Sequence, residues 1–170
     1  MWKKILAFAL IAAVFAGCLK SKETGGITCT IDTCAVKAPA NEIAQVEAYL
    51  AGKGITNANK HCSGVYYTIV SQGQGKKPTP CSAIVASYKG ELTNGNVFDQ
   101  GQFSAFYPLI SLIKGWTNTI PMLGEGGSIK LYIPPTLGYG SQAVTNPQTG
   151  AVSIPANSIL IFELQLIAVQ

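Results

Sequence analysis

Apolar residues recur at strand spacing several times along this chain and at helical spacing once. The helical stretch begins after Pro39-Ala40-Asn41-Glu42, with Asn41 or a neighbour as the cap. Ile43, Val46, Tyr49 and Leu50 then share one face, and Gly52 and Gly54 close it, which predicts a helix within 39–54. Its apolar stripe must dock on something. From Gly64 onward the pattern turns to strands. Val65–Val70 is β-branched and aromatic. Cys81–Leu92 places Ile84, Ala86 and Tyr88 on one side. Asn94-Gly95 is a hairpin turn leading into Val97-Phe98. Ser128–Ile133 alternates again. Ser158–Val169 is the longest predicted strand, with Leu160, Phe162, Leu164 and Leu166 on one face and Glu163 and Gln165 on the other. A short helix near Trp116 is the only one expected among these strands. The economical architecture is α+β, a single sheet with one face buried against that helix.

The first residues read differently. Lys3 and Lys4 precede an apolar run from Ile5 to Ala16, shorter than the ~20 residues a spanning helix needs. This is a signal-peptide pattern. It ends in Phe15-Ala16-Gly17-Cys18, which resembles a bacterial lipoprotein signal with Phe15 where Leu is usual. The expectation is cleavage after residue 17 and a lipid on Cys18. Residues 18–38, rich in Lys, Thr, Gly and Ser, then form a flexible tether. Export is expected, to a periplasm-facing or surface position. Lys20, where an inner-membrane retention signal would place Asp, favours the outer membrane.

The charge supports no nucleic-acid surface. All basic residues are lysines, and Lys3 and Lys4 leave with the leader, so the mature chain is close to balance. Without arginine there is no bidentate clamp for phosphate or carboxylate. Cys29, Cys34, Cys62 and Cys81 remain after Cys18, an even number that predicts disulfides in an oxidising compartment. Three pairings are possible, and sequence order favours Cys29–Cys34 with Cys62–Cys81. No metal site is expected, because the single histidine, His61, has no partners at ligand spacing.

The usual catalytic groups are scarce. One histidine makes a Ser–His–Asp triad improbable. Asp99 has no second carboxylate for paired acid–base work, and no phosphate-cradling glycine loop is present. The distinctive feature is aromatic: Tyr66, Tyr67, Tyr88, Phe98, Phe103, Phe106, Tyr107, Trp116, Tyr132, Tyr139 and Phe162. An aromatic-lined site with few polar groups suits rotation about an X-Pro bond. That bond is slow to turn because amide resonance raises a barrier of about 18–20 kcal/mol. A pocket that favours the twisted amide lowers the barrier with neither nucleophile nor cofactor.

Four motifs then carry a family resemblance. Val85-Ala86-Ser87-Tyr88-Lys89-Gly90-Glu91-Leu92-Thr93-Asn94-Gly95-Asn96-Val97-Phe98-Asp99 resembles the FKBP pattern of strand, turn and Phe-Asp. Leu112-Ile113-Lys114-Gly115-Trp116 matches its Val-Ile-x-Gly-Trp. Gly126-Gly127-Ser128 through Ile133-Pro134-Pro135 to Tyr139-Gly140 matches its Gly…Ile-Pro-Pro…Tyr-Gly. Ile154-Pro155-Ala156-Asn157-Ser158 through Phe162-Glu163-Leu164 matches the closing segment. The resemblance covers residues 64–169 in order.

It implies an FKBP-like antiparallel sheet curled around one short helix, with the domain over 55–170 and the N-terminal helix as an extra. It implies a peptidyl-prolyl cis–trans isomerase acting on proline-containing polypeptides, open to macrolide immunophilin ligands. A weakly active proline-segment binding module or chaperone is the alternative. By resemblance, Trp116 floors the pocket and Tyr88, Phe98 and Phe162 wall it. Leu112, Ile113 and Ile154 lie beside them, and Tyr107 matches the family's pocket phenylalanine. The Tyr139 hydroxyl and the Ile113 amide donate to substrate carbonyls. Asp99 sits at the edge, buried enough to orient polar contacts. The sequence departs from the family at Ala105, at Gln100-Gly101 and in a longer loop from Ser141 to Ser153.

Overall fold

The computed structural model describes residues 29–170, apart from the side chains of 103–107. The predicted leader, the lipid site at Cys18, residues 18–28 of the tether and the Tyr107 side chain lie outside the described residues.

The chain forms the helix α1 (Ala40–Gly52), then β1 (Asn59–Lys60), β2 (Tyr66–Ser71), β3 (Ala83–Leu92) and β4 (Val97–Pro108). Next come α2 (Lys114–Thr119), β5 (Ser128–Ile133), β6 (Val144–Thr145), β7 (Val152–Ile154) and β8 (Leu160–Val169), with three 3-10 turns between them. Six strands make one antiparallel sheet in the order β1-β2-β5-β8-β3-β4. The fold is the α+β class that the period-two runs predicted.

Alternation along the central strands decides the layers. Ile129, Leu131 and Ile133 of β5 join Leu160, Phe162, Leu164 and Leu166 of β8 in the main core. Trp116 and Ile120 pack onto that face together with Leu109 and Leu123. On the opposite face Tyr132 and Ile161 make a second cluster with Val46 and Leu50 of α1. The apolar stripe of α1 is therefore spent on its own sheet. The helix start differs from expectation. Pro39 occupies the cap with no side-chain bond, and its carbonyl accepts from the amides of Glu42 and Ile43, both at 3.1 Å. Glu42 instead reaches across the fold, its carboxylate accepting from the Thr136 amide at 2.9 Å and the Thr136 hydroxyl at 2.6 Å.

Three corrections follow. The disulfides pair Cys29 with Cys81 and Cys34 with Cys62, not neighbours in sequence. After α1 the chain returns beside residues 34–38, where the Ala38 amide donates to the Ser63 carbonyl at 2.8 Å. That return brings Cys62 to Cys34, so spatial order replaces chain order. Second, residues 29–38 are not a free tether, since each disulfide takes one cysteine from them and Ala38 is buried. Third, β4 runs far beyond Val97-Phe98. Asp99-Gln100-Gly101-Gln102 has weak strand propensity, but its pairing with β3 continues through Tyr88 opposite Gly101 and Lys89 opposite Gln100. The 141–153 loop is likewise not structureless. It carries the small β6–β7 ladder, whose turn is held by the Asn146 carboxamide oxygen accepting from the amides of Gln148 and Thr149.

Candidate functional site

The β3–β4 hairpin, α2 and the segment after β5 meet over the aromatic end of β8. Tyr88 leaves β3 toward this side, and two residues later Gly90 pairs with Asp99 on one neighbour and Phe162 on the other. Gly90 has a spatial reason. A Cβ there would lie 2.5 Å from the Phe98 ring and 2.9 Å from the Phe162 ring. Gly115 plays the same part under the helix, where a Cβ would stand 2.5 Å from Ile133. Its absence lets α2 sink onto β5 and carries Trp116 into the floor, 5% exposed. Two hydroxyls pin this turn: Thr117 donates to the Leu109 carbonyl at 2.8 Å, and Thr119 to that of Gly115 at 2.7 Å.

The rings interlock edge to face. Trp116 lies 5.2 Å from Phe162 and 5.3 Å from Tyr88, and Phe98 lies 5.5 Å from Phe162, all with T-shaped geometry. They enclose a cavity of about 180 Å³ bounded by Tyr88, Phe98, Asp99, Leu112, Ile113, Trp116, Tyr139 and Phe162. That is below the ~300–1,000 Å³ usual for small-molecule sites, a size suited to one small ring. All six residues expected to do the chemistry meet here, with Leu112 and Ile113. Ile154 does not: it is buried in the main core on β7 and is not among the lining residues.

Among the described residues Asp99 carries the only charge in the lining. It is exposed at the rim rather than buried as expected, and its carboxylate accepts from the Tyr88 hydroxyl at 2.6 Å. This bond fixes the Tyr88 ring. Burial, the Asp99 bond and the Asp99 charge together push the Tyr88 phenol up to about 12, and burial with Asp99 also raises Tyr139. Both therefore stay protonated, as hydrogen-bond donors, across neutral pH.

Tyr139 sits on the turn after Pro135–Leu137, where the Gly140 amide donates to the Pro135 carbonyl at 2.8 Å and Gly140 takes φ 64°. Glycine fits this left-handed position without a Cβ penalty. Glu42 of α1 holds the same turn through Thr136. The Ile113 amide, at the N-cap of α2, has no acceptor among the described residues, and Ile113 lines the cavity. The supporting glycines and the Glu42 link were not singled out in the sequence as site residues. A glycine inside a strand marks close approach by another group, and that signal was available at Gly90. Nothing local marks Glu42.

Away from the cavity, Cys34, His61 and Cys62 bring their ligand-type atoms within 4.8 Å of one another. The two sulfurs are joined as a disulfide, so they offer no thiolate.

Comparison with known proteins matches residues 74–167 to the family described as FKBP-type peptidyl-prolyl cis-trans isomerase. The FKBP-type peptidyl-prolyl cis-trans isomerase FkpA of Buchnera aphidicola is 42% identical over 118 residues, 67% of this chain and 44% of its own length. A crystal structure of a peptidyl-prolyl cis-trans isomerase from Pseudomonas syringae pv. tomato superposes with TM-score 0.64 at 27% identity, covering 79% of this chain and 98% of that one. The crystal structure of FkpA from Escherichia coli gives TM-score 0.61 at 31% identity, covering 77% and 60%. The chain thus spans less than half the length of the curated Buchnera relative.

Proposed function

Since the chain belongs to the FKBP-type peptidyl-prolyl cis-trans isomerase family, we propose that it turns X-Pro bonds in exported polypeptides, without covalent chemistry, inside the aromatic cavity. The observation that carries this reading is the convergence of Tyr88, Phe98, Trp116, Tyr139 and Phe162 on one small, nearly uncharged hollow. A prolyl ring placed over the Trp116 indole removes the preceding amide from bulk water. The planar amide is the more polar form, so losing water raises it relative to the twisted form, whose resonance is already broken. The Tyr139 hydroxyl and the Ile113 amide donate to carbonyls flanking the bond and hold the chain while it turns. Asp99 holds Tyr88. No group needs to gain or lose a proton.

The test is isomerisation of an Ala-X-Pro-Phe peptide. The protein accelerates it, and a macrolide immunophilin ligand such as tacrolimus blocks the acceleration. A hydrogen bond is worth about 0.5–1.5 kcal/mol net, so Tyr139→Phe lowers kcat/KM by up to about tenfold. Asp99→Val, which also frees the Tyr88 ring, lowers it by at least as much. The pH profile of kcat/KM is flat from neutral pH into the alkaline range. Stability follows with a definite sign. The ordinary phenol value is 10.0 and folded Tyr88 is pushed up to about 12, so the unfolded state releases its proton first. Stability is intact below the first value and falls as pH rises toward the second. Peptide binding without acceleration would replace this reading with that of a binding module.

Two disulfides suit an oxidising compartment, which agrees with export. The leader pattern adds a lipid on Cys18 that holds the domain at a membrane, preferably the outer one. Radiolabelled fatty acid should enter the chain in a bacterial host and be lost in Cys18→Ser. Equal labelling of both would remove the anchor from the proposal.

A further inference from the structure

Further hollows adjoin the aromatic cavity. Phe98 is also a wall of a second hollow of about 480 Å³, which it shares with Val97, Val152 and Pro155. Pro155, with Leu92 and Asn94, in turn walls a third hollow of about 480 Å³, which continues to Gln45 and Tyr49 on α1. Neighbouring hollows share wall residues, Phe98 between the first and second and Leu92, Asn94 and Pro155 between the second and third. In that order they make a row, the trough, from the cavity past the β3–β4 turn to the N-terminal helix. Beyond the cavity no charged side chain among the described residues lines it. Its walls alternate carboxamides and hydroxyls with apolar groups, and Val97 and Val152 stand 46% and 57% exposed.

We propose that this trough binds the extended, uncharged stretch of the client polypeptide that continues from the prolyl bond. The proposal rests on the isomerase reading, because the chain in the trough is the one whose proline fills the cavity. The lining chemistry favours this occupant. Carboxamides both donate to and accept from a peptide backbone, exposed valines receive apolar side chains, and the absence of charge offers nothing to an anion. The far wall is α1, the element that precedes the motif-bearing segment. The trough is also tied to the site. Asn157, on its wall with φ 57°, donates its amide to the Gly140 carbonyl at 2.8 Å, next to Tyr139. Asparagine tolerates this left-handed backbone better than most side chains. A chain seated in the trough therefore bears on the turn that carries the Tyr139 hydroxyl.

The experiment compares two substrates in the full chain and in Val152→Glu and Gln45→Glu, at opposite ends of the trough and both at exposed residues. One substrate is the tetrapeptide, which fills the cavity alone. The other is an unfolded protein whose refolding is limited by a prolyl bond. A carboxylate in the trough must shed water when a chain covers it. Each variant should keep the tetrapeptide kcat/KM and lose about tenfold on the protein substrate. Equal kcat/KM on the protein substrate in all three chains would overturn the trough, and so would matching losses on both substrates. Anisotropy of a labelled, proline-free, uncharged polypeptide separates this from the parent reading. If the unaltered protein failed to speed the tetrapeptide, the isomerase reading would fall. The trough would still be supported by binding that each variant weakens about tenfold, and overturned by no binding.

Discussion

Phe162→Ala should destabilise the domain by about 3–5 kcal/mol and remove measurable isomerisation. Phe162 is 3% exposed on β8, the strand between β5 and β3 in the sheet. Its ring meets Trp116, Phe98 and Tyr88 at 5.2, 5.5 and 6.3 Å. Truncation leaves a void that these neighbours cannot fill without leaving the cavity walls, since Phe98, Trp116 and Tyr88 all line the cavity. Against a typical total stability of about 5–15 kcal/mol, the loss approaches the whole for a domain at the low end. Phe162→Leu keeps most of the volume and should cost less than about half as much. Urea unfolding of both variants, read beside the peptide assay, separates the two effects. The leucine variant should stay folded yet isomerise poorly, because the edge-to-face wall is gone. Full activity in folded Phe162→Leu would show that the ring's shape is not needed for turning the bond.

The disulfides come next in size. Cys29–Cys81 closes a separation of 52 residues and Cys34–Cys62 one of 28. Chain-entropy arithmetic gives about 4 and about 3.5 kcal/mol respectively, toward the top of the usual ~2–4 kcal/mol range. The shorter loop contains all of α1. Replacing Cys34 and Cys62 together by serine should therefore lower the urea midpoint and loosen α1 before the sheet, leaving Val46 and Leu50 free to part from Tyr132 and Ile161. Hydrogen exchange would show early opening at 40–52, and the turn at Thr136 would follow through Glu42. Peptide isomerisation should fall less than stability, since no cysteine lines the cavity. An unchanged midpoint after reduction would mean that packing alone fixes the N-terminal segment.

These predictions draw on different parts of the molecule, and the two parts were not equally legible. The strands over 83–92, 128–133 and 160–169 followed from period two, because a sheet with one buried face imposes that alternation, and the strand over 66–71 followed from its β-branched and aromatic residues. The α1 stripe followed from period 3.6 for the same reason. The aromatic site was legible through residue types: few groups in the chain could do acid–base or nucleophilic work, and the rings were numerous. The extended β4 was not legible, because its Asp-Gln-Gly-Gln centre joins the sheet only through a partner already in place. Nor was the burial of Ile154, which answers to the loop ladder with Val144.

The amino-acid order by itself settled the fold class, the positions of α1 and of β2, β3, β5 and β8, and the collection of rings from which a prolyl site could be made. Those properties depend on local period and composition. Tertiary structure alone decided which cysteines meet, that Glu42 reaches Thr136, that Asp99 stays at the rim while holding Tyr88, and that further hollows lie in a row between the cavity and α1. Each of these joins residues far apart along the chain, and no local signal encodes a distance that only the closed sheet creates.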